Sequence, residues 1–164
     1  MFMLDLLHDE FLRGLPDATS FARALLRLST AMLLGAAVGY ERERAGKAAG
    51  LRTHMLVSMG AALFVMLPGG ASPDAAELSR VIQGIATGIG FIGTGAILKR
   101  GDRGGVQGLT TAAGIWLTAA VGVAAGTGQL GVAVLGVGLT LLTLALVARL
   151  ERRVPPDQEP GATP

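Results

Sequence analysis

From Ala31 to Tyr40 the chain is apolar or small apart from its single tyrosine, and from Met55 to Leu67 it carries no charge at all. Between these stretches crowd Glu41, Arg42, Glu43, Arg44, Lys47 and Arg52. A charge at the centre of a membrane helix costs roughly 2.5–3.5 kcal/mol on insertion scales, so this block cannot enter hydrocarbon, whereas its flanks can. The pattern predicts two membrane helices joined by a tight hydrophilic turn at a bilayer surface.

Composition points the same way. The 164 residues suffice for one domain. They are 51% hydrophobic and 16% charged, with a mean hydropathy of +0.54, whereas soluble domains are about 25% charged. So few charges cannot cover a water-soluble globule of this size. The 25 glycines suit helices that pack in lipid by close backbone approach. There is no cysteine, which excludes disulfides, thiolate metal sites and thiol catalysis. The net charge of +2 comes from basic residues set between apolar segments, without the aromatic-lined patch of a nucleic-acid binder. No nucleic-acid partner is expected.

Residues 1–19 read as an amphipathic N-terminal segment lying in the interface, with Asp5, His8, Asp9 and Arg13 opposite Phe2, Leu4, Leu7 and Phe11. It lacks the basic start and cleavage site of a secretory signal. Gly14 and Pro16 end it, and Ser20 is the expected N-cap of a first span over 21–40, whose Arg23 and Arg27 snorkel to the near interface. Further spans are expected over 53–67, 80–98, 109–125 and 130–150. Pro68–Asp74, Lys99–Gly105 and Gly126–Gly128 form the turns. Residues 20–151 thus form one transmembrane domain, and 152–164 a disordered cytoplasmic tail. The fold class expected is all-α, a polytopic membrane helix bundle of five transmembrane helices plus an N-terminal amphipathic interfacial helix.

Five crossings put the chain ends on opposite sides. Arg42, Arg44, Lys47, Arg52, Lys99, Arg100, Arg103, Arg149, Arg152 and Arg153 then share one side, and only Arg13, Arg23, Arg27 and Arg80 the other. The positive-inside rule places the N-terminus outside and the C-terminus in the cytoplasm.

In the third span, Gly84, Gly88 and Gly95 fall within about 40° of one another at 100° per residue. Arg80, Gln83, Thr87 and Thr94 form a polar stripe beside them. An amide facing lipid lacks partners, so this helix is expected at the centre of the bundle. Thr111, Gly114 and Thr118 line a small seam on the fourth span, suited to pack against the third. The pairs Gly35 and Gly39, Gly84 and Gly88, and Gly122 and Gly126 have GxxxG spacing, which signals close helix contact within the chain or between protomers.

Gly88–Gly93, GIGFIG, matches the dinucleotide fingerprint, but that motif works after a strand and at a helix N-terminus, not inside a membrane span. Glu41 and Glu43 are the carboxylates nearest the hydrocarbon, and hard cations take such ligands. Each adjoins arginine, so an ion-paired cap is the expected role. His54 stands alone, without the second imidazole or spaced carboxylate that a metal site needs. It is separated from His8 by the bilayer, so no nucleophile, base and acid can be assembled. No catalytic residue, metal site or cofactor is expected. No Asp or Glu lies in mid-helix to relay protons either.

GYERERAGKAAGLRTHMLVSMGAAL, RVIQGIATGIGFIGTGAILKR and VQGLTTAAGIWLTAAVGVAAGTG, in this order, resemble the three signature blocks of the MgtC/SapB family of bacterial inner-membrane proteins. The resemblance covers roughly Leu33 to Gly128. It implies a five-span domain with a periplasmic N-terminus, a role in growth and virulence at low magnesium, restraint of the proton-driven ATP synthase, and binding of small membrane peptides. Its signature positions here are Glu41, Arg42, Glu43, Gly50, Leu51, Arg52, Thr53, Gly90, Phe91, Gly93, Gly95, Gly108, Leu109, Thr110 and Thr111. Longer relatives add a cytoplasmic domain after the fifth helix. The expected partners are the lipid bilayer and another membrane protein or a self-associated oligomer, met through the glycine and threonine faces of the third and fourth spans. The alternative is a cation transporter or channel built on Glu41, Glu43 and the Gln83 stripe.

Overall fold

A computed structural model of the chain describes residues 2–12, 17–67, 74–99 and 106–151. The expected turn tips at 68–73 and 100–105, and the tail at 152–164, lie outside the described residues. The described chain is almost wholly helical: α1 (Phe2–Leu12), α2 (Ala18–Arg44), α3 (Leu51–Met66), α4 (Ala75–Gly95), α5 (Leu109–Gly126) and α6 (Leu130–Glu151). Between α4 and α5, β1 (Leu98–Lys99) and β2 (Val106–Gln107) pair antiparallel, Leu98 opposite Gln107 and Lys99 opposite Val106. This short β-ribbon flanks the expected turn over Lys99–Gly105.

Helices α2, α5 and α6 are long and apolar enough to cross a membrane, and α3 is a shorter apolar helix. At about 1.5 Å per residue, the 27 residues of α2 reach about 40 Å, more than the roughly 30 Å hydrocarbon core. Its first turns project past the level at which α5 ends. The large apolar side chains from Phe2 to Leu7 on α1 stay exposed, Phe2 at 81% and Leu4 at 70%, as suits a helix whose apolar partner is lipid.

The helix ends follow local chemistry. Asp17, not the expected Ser20, caps α2: its carboxylate accepts the Ser20 backbone N–H at 2.6 Å. That hydrogen bond holds the Asp17 carboxyl below the usual carboxylate range. At the other end of α2, Gly46 takes φ +66°, its N–H donating to the Glu43 carbonyl while that of Lys47 reaches back to Arg42. This is a Schellman closure. Gly128, at φ +84°, closes α5 in the same way, with Gly128 N–H on Ala125 and Gln129 N–H on Ala124.

The core lies among α2, α3, α5 and α6, where Ala31, Val38, Ala62, Val121, Ala125, Ala133 and Val137 cluster. Within it α3 is gripped from two sides. A Cβ on Gly35 of α2 would meet the His54 carbonyl oxygen at 2.6 Å, and one on Gly39 the Leu51 Cα at 2.7 Å. From α5, a Cβ on Gly122 would stand 2.1 Å from the Ser58 oxygen, and one on Gly126 2.6 Å from that of Ala62. The spacings at Gly35/Gly39 and Gly122/Gly126 thus mark close contacts within the chain.

The third predicted span, α4, is not the centre. Its one buried residue is Gly93, where an added Cβ would touch that of Ala112 on α5 at 3.5 Å, whereas Gly84, Gly88 and Gly95 have nothing within 4 Å. The expectation failed because polar side chains on a helix can bond along their own helix. Thr87 donates to the Gln83 carbonyl and Thr94 to that of Gly90, each at 2.9 Å. The Gln83 amide nitrogen reaches Ser79 Oγ at 3.3 Å, and the stripe remains exposed, Arg80 included.

Candidate functional site

Three features are candidate sites, two of them polar and one apolar. The first is the charged turn after α2. Arg42 is 4% exposed and ion-paired with Glu41. Glu43 reaches across the turn, its Oε2 accepting the backbone N–H of Leu51 at 2.9 Å. Gly50, the α3 N-cap, has no side chain to do this, so Glu43 caps α3 from a distance and places its charge at the positive end of the helix. A Cβ on Gly50 would come within 2.6 Å of that carboxylate oxygen. Arg44 sits over the Tyr40 ring, 5.7 Å from its centroid, while Arg52 is exposed and Thr53 half-buried. The turn thus gathers Glu41, Arg42 and Glu43, of which Glu43 ties α2 to α3. Among the described residues no three His, Asp or Glu side chains converge as a metal site would require.

The second feature is a buried polar seam between α3 and α5. His54, Ser58 and Thr118 are fully buried and Thr111 is 2% exposed. Thr118 donates to the Gly114 carbonyl at 2.8 Å. His54 Nδ1 lies 2.9 Å from the Gly50 carbonyl oxygen, to which only a protonated Nδ1 can donate. The seam at Thr111, Gly114 and Thr118 was expected to pack against the third span, and instead it packs against α3. Sequence reasoning named His54 without a partner and passed over Ser58. Their spacing of four in an apolar helix is the signal that places them on one face.

The third feature is the open face of α4. Gly84, Gly88 and Gly95 lie there with nothing within 4 Å. Phe91, 84% exposed, falls about 20° from Gly84 around the helix at 100° per residue. Beside this face a groove of about 700 Å³ runs between α3 and α4, lined by Leu56, Gly60, Phe64, Gly84, Gly88 and Ile92 among others, nearly all apolar. The residues expected to share one partner face therefore divide: those of α4 are open, whereas Thr111 and Thr118 are taken up within the chain.

The MgtC family model matches residues 28–153. The chain is 49% identical over 137 residues to protein SrpB of Synechococcus elongatus, a match covering 77% of this chain and 75% of SrpB. It is 41% identical over 140 residues to the putative magnesium transporter YhiD of Escherichia coli, covering 81% of this chain and 64% of YhiD. With protein MgtC of Salmonella typhimurium the identity is 46% over 105 residues, 64% of this chain and 44% of MgtC. The chain thus spans less than two thirds of YhiD and less than half of MgtC. No solved structure matches. The match runs from the level of Arg27 through α6 and takes in the charged turn, the buried seam and α4, and it makes this membrane protein a member of the MgtC family.

Proposed function

We propose that this protein is a non-enzymatic, five-span inner-membrane protein that acts by binding another membrane protein through the open face of α4. The observation that carries this reading is the set of three glycines, Gly84, Gly88 and Gly95, with nothing within 4 Å, beside the exposed Phe91. Such a surface lets a second helix approach to backbone distance, and packing of that kind is what drives association in lipid. The naming of YhiD as a putative magnesium transporter supports a role linked to magnesium, and the resemblance to the family supports adaptation to low magnesium by restraint of a partner such as ATP synthase. A cation pathway through Glu41 and Glu43 has less support, because Glu41 is paired with Arg42 and Glu43 caps α3.

The test is Gly88→Leu, which adds a large side chain where the chain itself has open space. The variant is expected to fold as the parent does and to lose its co-purifying membrane partner by about tenfold or more, ~1.4 kcal/mol. Undiminished co-purification by a folded variant would remove this face as the contact. Magnesium flux into sealed vesicles above that of empty vesicles would favour the transporter instead.

A further inference from the structure

On α3, His54 and Ser58 stand one turn apart with no exposed surface. With Nδ1 of His54 donating to the Gly50 carbonyl, the Nε2 of a neutral imidazole carries a lone pair and no hydrogen. Neither Nε2 nor the Ser58 hydroxyl has a hydrogen-bond partner among the described residues. Native interiors rarely leave two such groups unanswered.

The neighbouring helix leaves room at this level. Gly114 of α5 faces the imidazole, and a Cβ built there would lie 3.6 Å from Nε2. Thr118 spends its hydroxyl hydrogen on the Gly114 carbonyl, so its oxygen lone pairs stay free to accept. An acceptor, a hydroxyl and a second acceptor thus line the same stretch of the α3–α5 seam.

We propose that His54 Nε2 and Ser58 Oγ hold a single buried water in the space left by the missing side chain of Gly114. The water donates one hydrogen to Nε2, accepts the Ser58 hydroxyl hydrogen, and keeps its second hydrogen for the Thr118 oxygen. Three hydrogen bonds of this kind are usual for an internal water. A cation is a poor occupant, because the carboxylates of the neighbouring turn are engaged elsewhere: Glu41 is paired with Arg42. Glu43 is bound to Leu51, Arg52 on α3 is exposed, and α5 has no titratable residue. Neutral water answers the lone pair without adding a charge.

The chain has two histidines, so His8→Gln leaves His54 as the sole imidazole for nuclear magnetic resonance of 15N-histidine-labelled protein in lipid. The expected spectrum shows a protonated Nδ1, a bare Nε2 and magnetisation transfer from a long-lived water to the ring. Gly114→Ala places its methyl at ordinary contact distance and is expected to abolish the transfer while keeping the tautomer. Ser58→Ala removes one water partner without adding volume and is expected to weaken the transfer severalfold, which keeps the comparison available should Gly114→Ala misfold. A ring protonated at Nε2, no water transfer in the parent, or transfer unchanged in folded Gly114→Ala or Ser58→Ala would overturn the site.

Discussion

Arg27 of α2 donates through Nη1 to the carbonyl oxygen of Gly126, 99 residues away, at 3.0 Å. Gly126 is the last residue of α5, and the Schellman closure at Gly128 takes up the carbonyls of Ala124 and Ala125 but not that of Gly126. The guanidinium supplies that missing donor and a positive charge at the negative end of the helix. The expected snorkelling arginine is thus also a clamp. Arg27→Met keeps the apolar stem and removes the donor. It is expected to cost about 1–2 kcal/mol, seen as a lower thermal midpoint in detergent, because hydrogen bonds to charged groups are worth about 1.5–3 kcal/mol when protected from water and Arg27 is partly exposed. An unchanged midpoint would mean that water serves this carbonyl equally well.

Glu43 and Leu51 make the corresponding tie at the other end of the bundle. Glu43→Ala is expected to lose about 0.5–2 kcal/mol, as removal of an N-cap acceptor does, and to make the Leu51 amide exchange faster with solvent. Glu43→Gln keeps a neutral acceptor and is expected to fall between the two. Equal protection of the Leu51 amide in all three proteins would show that the cap contributes nothing.

Gly122 and Gly88 look alike in sequence, each opening or closing a GxxxG pair, yet they meet opposite surroundings. A Cβ on Gly122 would lie 2.1 Å from backbone of Ser58, and one on Gly88 would meet nothing within 4 Å. Gly122→Ala is therefore expected to lower stability by about 1–3 kcal/mol, the usual range for overpacking. Gly88→Ala should leave it within about 0.5 kcal/mol, as for surface sites. Equal losses in thermal or denaturant unfolding would contradict the placement of α3 between α2 and α5.

Asp17 supplies a pH dependence with a definite sign. Its folded carboxyl is held below the usual range, first by the Ser20 backbone N–H and then by the Ser20 hydroxyl. A depressed folded pKa adds stability above the ordinary carboxylate pKa of 3.8 and loses it as pH falls below that value. Helicity at the start of α2 is thus expected to fray on acidification below about pH 4. Asp17→Asn, which caps without titrating, should flatten that part of the profile, and an identical acid response in both proteins would assign it to other groups.

The proposed orientation is open to direct labelling because the native chain has no cysteine. A single cysteine at Lys47 is expected to react with a membrane-impermeant reagent only after the cell membrane is opened. One at Asp17 is expected to react in intact cells. The reverse pattern would invert the proposed topology.

How far the fold could be read from sequence depends on the range of the interaction concerned. The end of α5 was legible because a turn there needs only local glycines, Gly126 and Gly128, whereas the charged block ends the expected first span at Tyr40 and α2 runs on to Arg44 before Gly46 closes it. Apolar stretches marked the helices, although the α2 N-cap fell at Asp17 and not Ser20, since either residue can cap and three positions separate them. The position of α4 was not legible. Gly84 and Gly88 have the same spacing as Gly122 and Gly126, and nothing within one helix says whether the surface it fits belongs to its own chain or to another. The Arg27 clamp and the His54–Ser58 seam were missed for a related reason, since each is completed by a helix remote in sequence.

Phe91 offers the most direct measurement on the central claim, because it is 84% exposed on the α4 face that carries the three open glycines. Replaced by p-benzoylphenylalanine, nearly its own shape, and irradiated in native membranes, it is expected to give an adduct with another polypeptide, and Gly88→Leu in the same chain should abolish that adduct. A correctly folded chain that cross-links to lipid alone, or whose protein adduct is untouched by Gly88→Leu, would contradict the assignment of this face to a membrane partner.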